Sequence, residues 1–162
     1  MSSADEFLRA NANHAASFTK GHLPAPPARK VAIVTCMDAR LDPVQFLRLR
    51  EGDAHVIRNA GGRAADAIRS LVISQQYLGT REIVVIHHTE CGMLSFTDEQ
   101  LQQKLHDELH VRTDMTFLPF TDLEQGVRDD VALIRECPLL LPGVPVRGFI
   151  YDVRDGRLRE VV

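Results

Sequence analysis

Two short stretches of the sequence combine residues that bind metals or act in catalysis. The stretch CMDAR begins at Cys36 and places the carboxylate of Asp38 and the guanidinium of Arg40 at alternate positions. The stretch HTEC places His88 and Cys91 three positions apart. Thiolate and imidazole groups are the side chains that zinc prefers in proteins. The two stretches therefore pose the question of whether they form one site.

Cys36 alone has other interpretations. A cysteine at the end of a strand is commonly a small buried hydrophobe. A phosphatase-type nucleophile requires an arginine six positions after the cysteine, where this chain has Asp42. A redox Cys-x-x-Cys pair is absent from the sequence, and Cys137, at a predicted helix end before Pro138, is interpreted as a core or surface thiol. A core thiol and a metal ligand therefore remain as the two interpretations of Cys36.

Composition limits the classes of function. The chain has 162 residues and a formal net charge of -3, which gives no indication of a nucleic-acid or membrane partner. The first residues carry acids and lack the basic and then apolar order of a signal peptide. Three cysteines do not make a disulfide framework, so we expect a cytoplasmic protein with reduced thiols that are available for metal binding or catalysis.

The hydrophobic pattern predicts the elements that position these residues. KVAIVTC is continuously apolar and predicts a strand buried on both faces, and REIVVIHHTEC repeats that pattern. Further predictions are a helix from Pro43 ended by Gly52, a strand over AHVIRNA, a helix from Ala64 to Leu78, helices over TDEQLQQKLHDEL and TDLEQGVRDDVALIREC, and strands VRGFIYDV and RLREVV around an Asp155-Gly156 turn. Residues 1–30 read as a polar, weakly helical arm that ends in an extended proline-rich segment.

This alternation of strands and helices predicts an α/β fold. We expect a single domain over residues 1–162, with a mostly parallel central sheet, helices on both faces and an antiparallel C-terminal edge strand. Ligand sites in such sheets lie at the carboxyl ends of the strands. Cys36, His88 and Cys91 all fall at that edge, although they are distant in sequence.

The three residues form a zinc ligand set, and three protein ligands with an open fourth position are typical of catalytic zinc. Strand alternation directs His87 to the opposite side, which makes His88 the preferred ligand. Asp38 is a candidate for a fourth ligand, and a site closed in that way would be structural.

The combination of motifs resembles the β-class carbonic anhydrases, and most closely their compact actinobacterial-type members. The resemblance rests on Cys36-x-Asp38-x-Arg40 together with HHTECGM around His88 and Cys91, and on RNAGG after the second predicted strand. It extends over nearly the whole chain. It implies the β-carbonic anhydrase fold and a zinc enzyme that reversibly hydrates carbon dioxide to bicarbonate and a proton by attack of a zinc-bound hydroxide.

The resemblance also implies roles for individual positions. Cys36, His88 and Cys91 would bind Zn²⁺, and Asp38 and Arg40 would form an ion-paired catalytic dyad beside it. Asp38 could then occupy the fourth zinc position in a closed state, unless Arg40 restrains it. Ala60 and Gly61 would line the substrate pocket. The chain would form a homodimer or homotetramer in which residues 1–30 pack on a neighbouring subunit.

Two other functions remain compatible with the same residues. One is hydrolysis of carbonyl sulfide or carbon disulfide, which relatives on this fold perform with the same type of zinc site. The other is a non-catalytic, zinc-stabilised binding protein with Asp38 permanently on the metal.

Overall fold

The computed structural model describes residues 2–162, so Met1 of the predicted arm lies outside the described residues. The helices are Ser3–Ala16 (α1), Pro43–Phe46 (α2), Ala64–Leu78 (α3), Asp98–Leu109 (α4) and Leu123–Glu136 (α5). The strands are Val31–Cys36 (β1), Ala54–Asn59 (β2), Glu82–His88 (β3), Val146–Tyr151 (β4) and Leu158–Glu160 (β5). In these residues, no helix has the length and apolar character needed to cross a membrane.

The five strands form one sheet in the order β2-β1-β3-β4-β5. The first four strands of that order run parallel, and β5 pairs antiparallel with β4. The predicted α/β class, with a mostly parallel sheet and an antiparallel C-terminal edge, is confirmed. Every residue of β1 is buried, as its continuous apolar run predicts for a central strand.

The two faces of the sheet are covered differently. Helices α3 and α5 pack on one face, where Val34, Leu71 and Val131 belong to the main apolar core. On the other face, Val31 and Ile33 pack against the short helix α2 and the loop after it. An apolar groove of about 280 Å³ remains open on that second face.

Helix α2 is shorter than predicted. The sequence predicts a helix that begins at Pro43, runs through DPVQFLRLR and is ended by Gly52, and the structure ends it at Phe46. The backbone turns at Arg48, which has a φ of 49°, and Leu47 and Leu49 then pack against the sheet. Burial of these two leucines on the sheet outweighs the helical propensity of the segment.

The N-terminal arm begins with a well-formed helix that lies away from the core. Ser2 and Asp5 cap α1 reciprocally, and none of its residues is buried. Phe7 and Leu8 are 69% and 73% exposed, which is unusual for adjacent large apolar residues.

Candidate metal centre

Cys36, His88 and Cys91 meet at one point of the sheet edge. The two thiol sulfurs and a ring nitrogen of His88 all lie within 4.8 Å of one another, and all three residues are buried. In the part of the chain that the structure describes, this is the group of histidine, cysteine and acidic side chains that could hold a metal ion. The arrangement offers two sulfur donors and one nitrogen donor.

The sheet topology explains this meeting. Strands β1 and β3 are parallel neighbours with Thr35 opposite Ile86, so Cys36 and His88 leave the sheet at the same edge. The chain then turns sharply at Glu90, which has a φ of 57°. This turn brings Cys91 back to the same edge, where it begins the short 3-10 turn Gly92–Leu94.

A hydrogen bond fixes the orientation of the His88 ring. Its Nδ1 lies 2.8 Å from the carbonyl oxygen of Thr89 and donates to it. The other nitrogen, Nε2, is buried and has no hydrogen-bond partner. A buried ring nitrogen without a partner beside two cysteines fits zinc, because ligating histidines typically donate their other nitrogen in this way.

His87 points to the opposite side of β3, as strand alternation predicts. Its Nε2 lies 2.9 Å from Oδ2 of the buried residue Asp130 on α5. The structure thus places His88, and not His87, with the cysteines.

The two thiols differ in acidity because they share a hydrogen bond. The bond with Cys91 lowers the pKa of Cys36 to about 4, and a backbone N–H of Gly61 donates to the Cys36 sulfur at 3.3 Å. The same pairing, together with burial, raises the pKa of Cys91. The pairing therefore favours the thiolate at Cys36 and the thiol at Cys91. Two thiolates and a neutral imidazole would neutralise the charge of a divalent ion.

Asp38 and Arg40 form a two-point ion pair beside the three donors. Arg40 donates from Nε to Oδ1 at 3.0 Å and from Nη2 to Oδ2 at 2.8 Å, and its backbone N–H donates to Oδ1 at 2.9 Å. The side-chain bond from Arg40 holds the pKa of Asp38 well below its usual range. Asp38 Oδ2 lies 3.8 Å from Nε2 of His88, and Asp38 is outside the group of mutually close donors.

Sequence reasoning missed three residues that hold this dyad. Glu90 accepts from Nη2 of Arg40 through its backbone oxygen at 3.1 Å, and its carboxylate lies 3.3 Å from Arg154. Arg58 donates to the backbone oxygen of Cys36 at 3.0 Å and to that of Asp38 at 2.7 Å. The position of Arg58 at the end of a predicted strand, as the first residue of RNAGG, was the available signal.

The predicted pocket residues lie in a tight turn against Cys36. Residues Ala60–Gly62 form a 3-10 turn in which Gly61 and Gly62 have φ values of 79° and 67°. Phe120 and Met93 complete an apolar wall around Cys36 and Cys91. Whether Ala60 and Gly61 contact a substrate stays a prediction.

Comparison with known proteins identifies similar chains. A sequence profile described as carbonic anhydrase matches residues 31–119. The β-carbonic anhydrase 1 of Mycobacterium tuberculosis is 46% identical over 99% of both chains. The crystal structure of a carbonic anhydrase from Streptococcus mutans superimposes with a TM-score of 0.95 at 51% identity, over 100% of this chain and 99% of that chain. A carbon disulfide hydrolase of Saccharolobus solfataricus is 33% identical over 96% of this chain and 87% of that protein.

Proposed function

Because this chain belongs to the β-carbonic anhydrase family, we propose that it is a zinc enzyme that reversibly hydrates carbon dioxide to bicarbonate and a proton. The family supports the activity, and the three donors at the sheet edge support the metal. Cys36, His88 and Cys91 are the proposed ligands.

The observation that carries the metal proposal is the buried Nε2 of His88 without a partner. A buried nitrogen lone pair that no donor satisfies costs free energy unless a metal or another donor occupies that side. When bound, zinc is a Lewis acid that lowers the pKa of a water molecule from about 16 toward about 7.

Asp38 is the proposed catalytic partner. Its Oδ2 lies close to His88 Nε2 and could accept a hydrogen bond from the attacking oxygen, which orients that oxygen toward the carbon of carbon dioxide. Acceptance requires an ionised carboxylate, and the lowered pKa of Asp38 provides one at neutral pH.

Arg40 is proposed to keep Asp38 available for this role. The planar guanidinium binds both carboxylate oxygens, so the carboxylate is oriented as well as ionised. This contact also opposes movement of Asp38 onto the metal. It is the argument against a non-catalytic protein with a permanently closed site.

The wall around the site suits a small apolar substrate. Cys36 and Cys91 lie in a cluster with Leu41, Met93 and Phe120. We propose that carbon dioxide approaches through this apolar surface, beside Ala60 and Gly61. The same surface would also accept carbon disulfide or carbonyl sulfide, and the carbon disulfide hydrolase relative makes that reaction the second candidate function.

Stopped-flow hydration of carbon dioxide across pH tests the proposal, with zinc content measured on the same sample. We expect one zinc ion per chain and an activity that rises toward alkaline pH. Rates on carbonyl sulfide and carbon disulfide, measured side by side, separate the two candidate substrates. A zinc-loaded protein that turns over none of the three substrates would establish the non-catalytic alternative.

We propose that the chain forms an oligomer, because the N-terminal arm exposes large apolar side chains. Residues 1–30 serve as an arm, and Phe7 and Leu8 on α1 need an apolar partner, which a neighbouring subunit would supply. We propose a homodimer or homotetramer of single-domain chains over residues 1–162. A reducing, cytoplasmic location suits a site that needs two thiolates.

A further inference from the structure

A buried charged cluster lies directly behind the candidate metal centre. Asp130 on α5 is 1% exposed, and its Oδ2 atom contacts two side chains at once. Nε2 of His87 lies 2.9 Å from this oxygen, and Nε of Arg63 lies 3.0 Å from it as an ion pair. We refer to His87, Asp130 and Arg63 as the Asp130 cluster. It has no part in the chemistry proposed above.

Packing holds the cluster in one geometry. The ring of Phe120 stacks on His87 with a centroid distance of 5.2 Å, and Cζ of Arg63 lies 5.1 Å from the same ring. A Cβ on Gly126 would lie 3.3 Å from Cγ of Phe120, so glycine on α5 leaves room for the Phe120 ring that stacks on His87. Burial of a charged pair is costly, which makes a purely stabilising role a weak explanation for it.

The contact between Asp130 and Arg63 connects the Asp130 cluster, through the turn before Arg63, to the Cys36 sulfur. Asn59 brackets the backbone of Arg63 with two hydrogen bonds, of 2.7 Å to its N–H and 2.9 Å to its carbonyl oxygen. The turn between them contains Gly61, whose N–H donates to Cys36 Sγ at 3.3 Å. Anchoring the Arg63 side chain on Asp130 therefore fixes the end of the turn that presents this donor.

The contact between Asp130 and His87 connects the cluster to strand β3, which carries His88. His87 and His88 are consecutive in β3 and point to opposite faces, so the bond from His87 to Asp130 restrains the last residues of this strand from behind. A single carboxylate oxygen thus restrains both the strand that carries one proposed ligand and the turn that hydrogen-bonds another.

We propose that Asp130 is a positioning residue of the metal centre, which sets the relative placement of the His88 ring and the Gly61 N–H on Cys36 through His87 and Arg63. The inference rests on the proposed function, because it concerns the same zinc site. Removing the Asp130 carboxylate should loosen the site and speed zinc release, without removing any ligand. Substitutions behind the ligands of zinc sites typically change metal affinity about 10- to 100-fold.

The test compares Asp130→Asn with Asp129→Asn in the full-length, zinc-loaded protein. Asp129 is the adjacent residue on α5, is exposed, and accepts a hydrogen bond from Gln125, so it is the matched control. Zinc release to a chromophoric chelator should be on the order of 10-fold faster in Asp130→Asn and unchanged in Asp129→Asn. The cobalt-substituted proteins give a second readout, since absorption band positions report ligand geometry and not the amount of folded protein.

A shifted cobalt spectrum with faster zinc release in Asp130→Asn supports the proposal. Wild-type release and an unshifted spectrum in that variant overturn it. If Asp130→Asn does not fold, Arg63→Lys replaces it, because lysine keeps the positive charge but lacks the Nε contact, and the same two outcomes apply. Wild-type protein that binds no zinc would refute the proposed function itself, so the two failures are distinguishable.

Discussion

Arg40 holds Asp38 by two parallel hydrogen bonds, with Nε bonded to Oδ1 and Nη2 to Oδ2, while Oδ2 lies only 3.8 Å from Nε2 of His88. Oδ2 of Asp38 thus lies between the Arg40 guanidinium and the three proposed ligands. If Asp38 moved onto a bound metal ion, it would close the fourth position that we propose is open. Arg40 is about half exposed, so solvent screens its interaction with Asp38 and weakens the ion pair.

Arg40→Ala should release Asp38 and lower the rate of carbon dioxide hydration most at low to neutral pH, where hydroxide is scarce and the carboxylate competes best for the metal. A decrease in kcat/KM of about 100-fold is expected in that range, with partial recovery at alkaline pH. Stopped-flow pH–rate profiles measure it. Arg147→Ala is the control, because Arg147 makes a similar exposed two-point contact, with Glu160 and not with Asp38. A profile of unchanged shape in Arg40→Ala would contradict the role given to this residue.

The ionisation of Asp38 can be measured directly. The bond from Arg40 lowers its pKa in the folded protein below the value of about 3.9 for an unfolded chain. The contribution of this pair to stability is therefore present above about pH 4 and is lost as the pH falls through the lower, folded value. We expect the ¹³C chemical shift of the Asp38 carboxyl carbon to titrate with a midpoint below about pH 3.9 in wild type. In Arg40→Ala the midpoint should lie closer to about pH 3.9. Equal midpoints in the two proteins would show that Arg40 does not set this pKa.

Zinc binding should release about one proton per ion near pH 6, below the pKa of about 7 toward which zinc lowers that of a water molecule. Cys36, with a pKa of about 4, is already a thiolate there, whereas Cys91 keeps its proton because its pKa is raised. The affinity for zinc should therefore rise about tenfold per pH unit above the pKa of Cys36 and below neutral pH, because only Cys91 has a proton to lose there. Calorimetric titration of the chelator-treated protein, in buffers of different ionisation enthalpy, counts the protons. Release of two protons would mean that both thiols are protonated.

The sequence was sufficient to predict the sheet but not the full course of helix α2. Buried central strands have continuous apolar runs, so β1 and β3 could be recognised, and Gly79 correctly marked the end of α3. The end of α2 depends on Leu47 and Leu49, which leave the helix to pack on the sheet. That competition between local propensity and distant burial cannot be evaluated without knowing which surface lies nearby.

The candidate site, too, could be predicted from the sequence only in part. Strand ends and ligand chemistry placed Cys36 and His88 together, because parallel neighbours expose their carboxyl ends at one edge. Contacts between distant segments, such as that of Arg40 with Glu90, have no signature in the chain. Asp130 did have one: it falls on the apolar stripe of α5 with Val127, Val131 and Ile134, which marks it as buried.

The exposed apolar residues of α1 give a prediction about assembly. The double variant Phe7→Ser and Leu8→Ser should dissociate the oligomer, because both side chains lose the apolar area that a partner subunit would cover. Sedimentation velocity over a range of concentrations measures this. Asn13→Ala, at another exposed position of α1, should leave the assembly unchanged. A monomeric wild-type protein, or a variant that assembles like wild type, would refute the role of the arm.

Alanine substitutions at Gly62 and Gly79 distinguish two ways in which an added side chain destabilises the fold: backbone strain and steric overlap. Both have a positive φ, 67° and 77°, but a Cβ on Gly62 would lie 2.8 Å from the carbonyl carbon of Thr35 and 2.9 Å from the backbone nitrogen of Cys36. A Cβ on Gly79 would meet no atom within 4 Å. Gly79→Ala should therefore cost only the backbone strain of the left-handed conformation, about 1–2 kcal/mol in the free energy of unfolding.

Gly62→Ala should cost about 3 kcal/mol or more, because overlap with immobile backbone atoms adds to the same strain. Urea unfolding of both variants measures the difference. The overlapping atoms belong to the end of β1 that carries Cys36, so Gly62→Ala should also reduce zinc content, whereas Gly79→Ala, at the far end of α3, should not. Equal destabilisation of the two variants would mean that the turn can move away from β1. The Gly61 N–H would then not be a fixed donor to the Cys36 sulfur, and the pKa of that thiol would be lowered by Cys91, His88 and the Asp38 backbone without it.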